Sequence, residues 1–222
     1  MLKTIHDIDF ATLYKQHKQL AARPRSSPEK WDAKAQQIGI GQLEDAYTRA
    51  LLQALSLQKT ETLLDVGCGA GAVAVLAAPY VRQVYALDYS VGMLAKLQEN
   101  AQHYQAHNIK TLCKNWEDDW QDVPICDVVV ASRSTLVEDM AAALKKLTQQ
   151  ARRRVYLTYP LNPAFGARPD IDPVQQPQLA TPSYLYILGI LYQQGYAAQL
   201  RFIGNKGLHQ QPTGWALIDW EV

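Results

Sequence analysis

The stretch LLDVGCGAGAVAVLAA, residues 63–78, places one acid, Asp65, and three alternating glycines between an apolar run and a helical pattern. Glycine loses more chain entropy on folding than alanine does, so three of them in one turn require a compensating gain. Backbone without side chains lets a ligand approach closely, and the free N–H groups of the following helix face such a ligand. The spacing therefore predicts a ligand-binding loop built on Gly67, Gly69 and Gly71.

Two classes of ligand use a glycine loop between the first strand and the first helix of an α/β sheet. The dinucleotide pattern GxGxxG/A is met by Gly67, Gly69 and Ala72, and Asp88 lies near the spacing of a ribose-binding acid. A pyrophosphate at the helix N-terminus would, however, be repelled by Asp65. A ligand with an ammonium group and no phosphate turns that acid into a partner. S-adenosylmethionine, with its α-ammonium, cationic sulfonium and ribose, fits this requirement.

The segments LLDVGCGAG and VYALDYS resemble motifs I and II of the class I S-adenosylmethionine-dependent methyltransferases. The resemblance implies a Rossmann-like fold, S-adenosylmethionine as cofactor and methyl transfer as the activity. It places the loop under the methionine and ribose, and it makes Asp88 the acceptor for both ribose hydroxyls. A carboxylate suits this role because charged acceptors make the stronger hydrogen bonds. The alternative for Asp88 is capping of the helix that starts near Ser90.

The same resemblance assigns further cofactor contacts to the ends of the second, third and fourth strands. With the glycine loop, the predicted cofactor-binding residues are Asp65, Gly67, Cys68, Gly69, Gly71, Asp88, Tyr89, Met93, Asn115, Trp116, Ala131 and Ser132. Tyr89 and Met93 would line the adenine. Asn115 stands where similar enzymes carry an acid that meets the adenine amino group, and its amide oxygen accepts the same bond. Whether Asn115, Glu117 or Asp118 makes that contact stays open.

The fourth strand ends in DVVVASRST, which lacks the N/D-P-P-Y/F motif of enzymes that methylate base amines or glutamine amides. Its absence favours a small-molecule acceptor, with RNA or protein as the alternative. Arg133 is a predicted substrate contact because a guanidinium can hold a carboxylate or phosphate through two bonds. Tyr159 is the second predicted substrate contact. No catalytic residue is assigned, and if a base is required, the candidates are Tyr159, His209, Asp170 and Asp172.

The N-terminal segment is predicted to form a small helical cap over residues 1–58, ahead of a cofactor-binding domain over residues 59–222. Ser27 followed by Pro28 predicts a helix start. In related enzymes the corresponding segment often closes over the cofactor. Trp31 and Lys34 are therefore predicted to cover S-adenosylmethionine and its carboxylate.

Beyond residue 60, apolar runs of strand length alternate with helical patterns. This order implies right-handed crossovers. The last two runs, AAQLRFIG and GWALIDWEV, have only a loop between them and predict an antiparallel hairpin at one edge. The expected fold class is α/β, a Rossmann-like doubly wound, mostly parallel seven-stranded sheet with a C-terminal antiparallel hairpin. The proline-rich segment 160–182 is predicted to form a lid or substrate-recognition loop.

The composition restricts partners and compartment. Lys and Arg number 22 against 21 Asp and Glu, so the charge is too balanced to attract nucleic acid or a membrane surface from a distance. The longest apolar stretch, YLYILGILY, is too short to span a bilayer, and charges replace a secretory apolar region at the N-terminus. The three cysteines lack CxxC spacing and are expected to be reduced, buried thiols. A cytoplasmic protein with a small-molecule partner is expected.

Two other patterns indicate structural roles. His103 and His107 lie at the sheet end away from the ligand side, with no acid or cysteine at metal-ligand spacing, so no metal is predicted. The arginines at 152–154 begin a strand and are expected to be solvated at that same far end. Two alternatives from other classes are a nicotinamide-dependent oxidoreductase and a catalytically idle relative that binds the cofactor as a partner subunit.

Overall fold

The computed structural model describes residues 4–21, 27–161, 181–204 and 214–222. In these ranges the strands are β1 (Thr62–Val66), β2 (Gln83–Asp88), β3 (Ile109–Cys113), β4 (Cys126–Ala131), β5 (Ala151–Pro160), β6 (Gln199–Ile203) and β7 (Trp215–Glu221). The α-helices are α1 (Phe10–Leu20), α2 (Pro28–Ala35), α3 (Ala46–Ala54), α4 (Ala72–Ala77), α5 (Val91–His103), α6 (Met140–Gln149) and α7 (Tyr184–Gln193). Short 3₁₀ turns lie at Ile5–Asp7 and Ala78–Tyr80.

The strands form one sheet in the order β3-β2-β1-β4-β5-β7-β6. Strands β1 to β5 pair in parallel, whereas β7 is antiparallel to both β5 and β6. The predicted fold class is confirmed, including the antiparallel C-terminal hairpin. Because the order reverses between β1 and β4, the carboxyl ends of β1, β2 and β4 border a crevice, where open α/β sheets bind ligands.

Alternation along the strands gives the sheet two apolar faces. Leu64 of β1 belongs to a buried cluster that contains residues of α1, α6 and α7. Its neighbour Leu63 belongs to a second cluster, with residues of α3, α4 and α5. Side chains at successive strand positions are thus buried on opposite faces, and each face carries a layer of helices.

The three helices that precede β1 pack against different helices of this frame. Helix α1 contacts α6 and α7, α2 contacts α5, and α3 contacts α4. Helix α2 begins as predicted after Ser27 with Pro28 at its first position, although the Ser27 hydroxyl makes no capping bond. The segment predicted as a cap is therefore distributed over both sides of the sheet, and α2 is the part beside α5.

The expectation that all three cysteines are buried meets a different outcome in the structure. Cys68 and Cys126 are buried thiols, whereas Cys113 is exposed because it ends β3, the edge strand of the sheet. Within the described ranges, every helix is too short or too polar to cross a membrane. The predicted proline-rich lid lies mostly outside the described residues.

Candidate active site

A cavity of about 610 Å³ lies at the carboxyl ends of β1, β2 and β4. It brings together most of the residues that the sequence singles out. The predicted site residues in its lining are Asp65, Gly67, Cys68, Gly69, Asp88, Tyr89, Met93, Asn115, Trp116, Ser132 and Arg133, and Trp31 and Lys34 also line it.

The glycine loop supplies the floor of this cavity. Gly67, Gly69 and Gly71 have φ angles of +69°, +52° and +92°, a region that favours glycine. The N–H groups of Gly67 and Cys68 donate to the Leu87 carbonyl at 2.7 and 3.0 Å, which joins the loop to the end of β2. A Cβ built on Gly69 meets no atom within 4 Å, so this part of the backbone faces open space.

Asp88 lies at the end of β2 and is 6% exposed. One carboxylate oxygen accepts from the Gly69 N–H and the other from the Ser90 N–H, both at 2.9 Å. Burial raises the pKa of Asp88. The residue that caps α5 is Ser90, whose hydroxyl accepts from the Met93 N–H at 3.0 Å. Since each carboxylate oxygen can accept a second bond, Asp88 retains capacity for a ligand.

Asp65 lies at the end of β1 and is 1% exposed. Its carboxylate accepts from the Ala74 N–H at 3.0 Å, in the first turn of α4. This N–H is one of the free donors that a pyrophosphate would use at a helix N-terminus. Because the Asp65 carboxylate already accepts from this N–H, the loop disfavours the pyrophosphate of a dinucleotide. Burial raises the pKa of Asp65 to about 7.

The segment after β3 forms one wall of the cavity. The Asn115 side-chain oxygen accepts from the Glu117 N–H at 2.6 Å, and the Asp118 carboxylate accepts from the Asn115 N–H at 2.9 Å. Of the three candidates for the adenine contact, Asn115 and Glu117 line the cavity and Asp118 does not. The Trp116 indole N–H donates to the Ser134 carbonyl at 3.2 Å, which fixes that ring against the loop after β4.

Arg133 follows β4 in a left-handed conformation, with φ at +56°. Its N–H donates to the Thr158 hydroxyl at 3.0 Å, and its guanidinium lies 3.6 Å from the Tyr47 ring centroid and 5.6 Å from that of Trp215. An ion pair to Asp45, at 3.3 Å, completes its contacts. A non-glycine residue in this conformation costs about 1–2 kcal/mol, which such contacts can offset, and strained residues of this kind cluster at functional sites.

Three predicted site residues are not brought to the cavity lining, namely Gly71, Ala131 and Tyr159. Gly71 is the N-cap of α4, and Ala131 is fully buried in the core. Tyr159 is also fully buried, on the sheet face that packs against α1, and burial raises its pKa. The prediction of Tyr159 as a substrate contact or base is corrected by this placement. Asp170, Asp172 and His209 lie outside the described residues.

The arginine triplet at 152–154 is paired with carboxylates at the far end of the sheet. Arg152 lies 3.7 Å from Asp127, Arg153 lies 2.6 Å from Glu61, and Arg154 lies 2.9 Å from Asp219. These cations are engaged within the chain. In the described ranges, His, Cys, Asp and Glu form no group of three that could hold a metal ion.

Comparison with known proteins gives the family. A family model described as a methyltransferase domain matches residues 63–155. An uncharacterized protein of Haemophilus influenzae is 42% identical over 206 residues, which cover 91% of this chain and 76% of that protein. The chain belongs to the class I S-adenosylmethionine-dependent methyltransferases.

Other similar proteins, two of them of known structure, have lower sequence identity to this methyltransferase. An uncharacterized RNA methyltransferase of Staphylococcus aureus is 29% identical over 136 residues, covering 60% of this chain and 29% of that protein. A methyltransferase structure from Aquifex aeolicus has a TM-score of 0.63 at 17% identity, covering 89% of this chain and 100% of that one. The magnesium protoporphyrin IX methyltransferase of Synechocystis, with bound S-adenosylmethionine, has a TM-score of 0.57 at 16% identity, covering 96% and 97%.

The cavity of the methyltransferase fits the cofactor of its family. The open space above Gly69 admits a ligand against the backbone, and Asp88 keeps acceptor capacity beside it. Two buried carboxylates with raised pKa values favour a ligand that brings positive charge. The sulfonium and ammonium of S-adenosylmethionine supply that charge, so the prediction of the cofactor is confirmed by the family and supported by this chemistry.

Several lining residues were not predicted from the sequence. They are Lys18, Ile38, Tyr47, Lys114, Leu136, Glu138 and Trp215, among others. The sequence holds one weak signal for Lys18, its position four residues after Tyr14 on one face of α1, and in the structure it is 6% exposed. Tyr47 carried none, since its position depends on how α3 packs. Its hydroxyl contacts the Ser132 and Thr158 hydroxyls, both at 2.8 Å.

The buried carboxylate of Asp65 should weaken the fold of the methyltransferase as pH rises. Its folded pKa of about 7 lies above the unfolded value, so the contribution of Asp65 to the free energy of unfolding falls between about pH 4 and 7 and then levels off. We expect the advantage of Asp65→Asn over wild type to grow by about 1.4 kcal/mol per pH unit across this window, reaching about 3–4 kcal/mol. Urea denaturation at a series of pH values measures it.

Asp127→Asn is the control for this pH dependence, because the pKa of Asp127 is lowered by its hydrogen bonds to Thr62 and its proximity to Arg152, although burial opposes them. That variant should show the opposite trend, with its largest cost at the higher pH values. A pH-independent difference between Asp65→Asn and wild type would mean that Asp65 is not a desolvated acid.

Proposed function

We propose that the methyltransferase binds S-adenosylmethionine in the 610 Å³ cavity and transfers the methyl group to a small-molecule acceptor near Arg133. The observation that carries the small-molecule assignment is the charge balance of the cavity. Nucleic-acid sites are built from clustered basic residues, because phosphate neutralisation dominates their affinity. Here four basic and four acidic residues line the same space: Lys18, Lys34, Lys114 and Arg133, with Asp65, Asp88, Glu117 and Glu138.

The residues of the chain have distinct roles in this proposal. Asp88 holds the ribose hydroxyls, and the open backbone at Gly69 receives the ligand. When bound, S-adenosylmethionine supplies an electrophilic methyl group on a good leaving group. The protein then has mainly to align the acceptor and exclude water.

Arg133 orients the acceptor in this proposal. Its backbone N–H is tied to Thr158 and its guanidinium is stacked on Tyr47, so the cation is held in place before the acceptor arrives. A carboxylate or phosphate on the acceptor matches the donor geometry of a guanidinium. The recognised feature is therefore an anionic group at the cavity end next to Ser132.

RNA methylation is the second candidate, favoured by the similarity to the Staphylococcus aureus RNA methyltransferase. This chain spans about 29% of the length of that relative, so the similarity is confined to part of it. The balanced charge of the cavity and of the whole chain argues for the small molecule.

Tritiated S-adenosylmethionine distinguishes the two candidates. We expect label in the acid-soluble product when the enzyme is given a metabolite extract free of macromolecules, and none in total RNA or protein supplied in parallel. Arg133→Gln should reduce the transfer about tenfold or more while the affinity for S-adenosylhomocysteine stays unchanged. Arg49→Gln is the matched control, since Arg49 pairs with Glu44 on the exposed side of α3. Label found in RNA would overturn the small-molecule assignment.

A further inference from the structure

One side chain of helix α2, Asp32, is hydrogen-bonded to the N-terminal end of α5. Its carboxylate oxygen Oδ1 accepts from the Ser90 hydroxyl at 2.6 Å and from the Gly92 N–H at 2.8 Å. The Ser90 hydroxyl and the Gly92 N–H lower the pKa of Asp32, so it is ionised at neutral pH. Charge-assisted hydrogen bonds of this kind are the stronger ones.

The same bonds connect α2 to the predicted ribose acceptor. Ser90 donates its hydroxyl to Asp32 and its N–H to Asp88, the latter at 2.9 Å. Ser90 therefore links the Asp32 carboxylate of α2 to the Asp88 carboxylate of the predicted cofactor site. Met93, which donates its N–H to the Ser90 hydroxyl, lines the cavity itself.

The backbone of α2 approaches α5 so closely that only glycine fits at position 92. A Cβ built on Gly92 would lie 2.9 Å from both the Asp32 Cα and its Oδ1. The first of these atoms is backbone and cannot turn away, so the helices could not keep this separation with a larger residue.

Two residues of α2 close to Asp32 line the cavity. Trp31 and Lys34 both face it, and the Lys34 ammonium lies 4.7 Å from the Trp31 ring centroid. Helix α2 is short, spanning Pro28–Ala35, and its buried surface is small, with Ala35 as its buried residue. Since a helix of this length gains little stability by itself, its position depends on contacts with α5.

We propose that Asp32 is a positioning residue that fixes α2 across the cofactor cavity and thereby slows the release of S-adenosylmethionine and S-adenosylhomocysteine. It touches neither cofactor nor acceptor. It acts by holding Trp31 and Lys34 over the cavity while the Ser90 bridge holds Asp88. This inference rests on the proposed placement of the cofactor in that cavity.

Two measurements on the full chain test the positioning role of Asp32. Stopped-flow chase with S-adenosylhomocysteine gives the dissociation rate, and hydrogen–deuterium exchange of residues 28–35 without ligand reports whether α2 stays in place. Asp32→Ala should raise both rates on the order of tenfold, whereas Asp32→Asn, which keeps the acceptor oxygen, should retain most of the wild-type behaviour. Lys30→Ala is the control on the same helix, since Lys30 is exposed and lies outside the cavity lining.

A second variant changes the α5 side of the contact between α2 and α5. Gly92→Ala leaves Asp32 unchanged and favours helix α5 by propensity, yet its methyl group must push α2 away. It should therefore raise the dissociation rate and the exchange of residues 28–35 as Asp32→Ala does, with the melting temperature of the protein preserved.

The outcomes separate the two proposals. If wild type binds S-adenosylhomocysteine and Asp32→Ala and Gly92→Ala release it at the wild-type rate, the positioning role is wrong and the cofactor site stands. If wild type binds the ligand but Asp88 and Gly69 variants do not affect it, the cofactor site itself is misplaced.

Discussion

Replacing Asp88 with asparagine should lower the affinity for S-adenosylhomocysteine by roughly 100-fold or more, because two charge-assisted bonds to ribose hydroxyls are lost. The carboxylate also accepts from Gly69 and Ser90, and an amide nitrogen in place of either oxygen would face one of those N–H groups. The loop would therefore lose both a ligand partner and part of its own support. Isothermal titration calorimetry measures the affinity.

A ligand pair separates these two contributions at Asp88. Wild type should bind adenosine more tightly than 2′,3′-dideoxyadenosine, and Asp88→Asn should lose that preference. Asp127→Asn serves as the control, because Asp127 also accepts a backbone N–H, from Thr62 at 2.7 Å, but at the opposite end of the sheet. An Asp88 variant that weakens both ligands equally would show that Asp88 supports the loop without touching the ribose.

Gly69→Ala is expected to reduce S-adenosylhomocysteine affinity by about 10–100-fold, while the protein stays folded. The added methyl meets no protein atom within 4 Å, so its cost to the fold is limited to the left-handed backbone, about 1–2 kcal/mol. Gly69 lines the cavity, and the methyl takes space that the ligand needs. Chemical denaturation and calorimetry on the same samples give both quantities.

Gly195→Ala is the matched control for Gly69→Ala. Gly195 has a φ of +89° and equally open surroundings, but it follows α7 and does not line the cavity. Both variants should lose similar stability, and only Gly69→Ala should lose affinity. Equal affinity in the two variants would contradict the close approach of a ligand to the loop.

Much of the frame could be predicted because local patterns determine it. The apolar runs of β1 and β2 end in Asp65 and Asp88, and a parallel sheet brings such ends to one edge. The helix predicted to start near Ser90 is α5, which begins at Val91 with Ser90 as its N-cap. The three glycines lie in a loop after β1 as predicted, and their positive φ angles are a further reason for glycine there besides the close approach of a ligand.

The errors arise where a side chain's direction depends on tertiary packing. Tyr159 lies near the carboxyl end of β5, as expected for a site residue. Strand alternation nevertheless points its side chain to the face that packs against α1, whereas its neighbour Thr158 contacts Tyr47 and Arg133. Lys18 and Trp215 line the cavity from elements far away in sequence, so their place in the site depends on tertiary packing. No local pattern marks Asp32, because its role depends on the approach of α2 to Gly92.

Hydrogen–deuterium exchange with and without saturating S-adenosylhomocysteine tests most directly whether this cavity is the cofactor site. We predict slower exchange in peptides that contain residues 67–71, 88–93 and 114–117, with the β6 and β7 hairpin unchanged. Protection confined to other parts of the chain, with these three segments exchanging as in the free protein, would contradict the assignment.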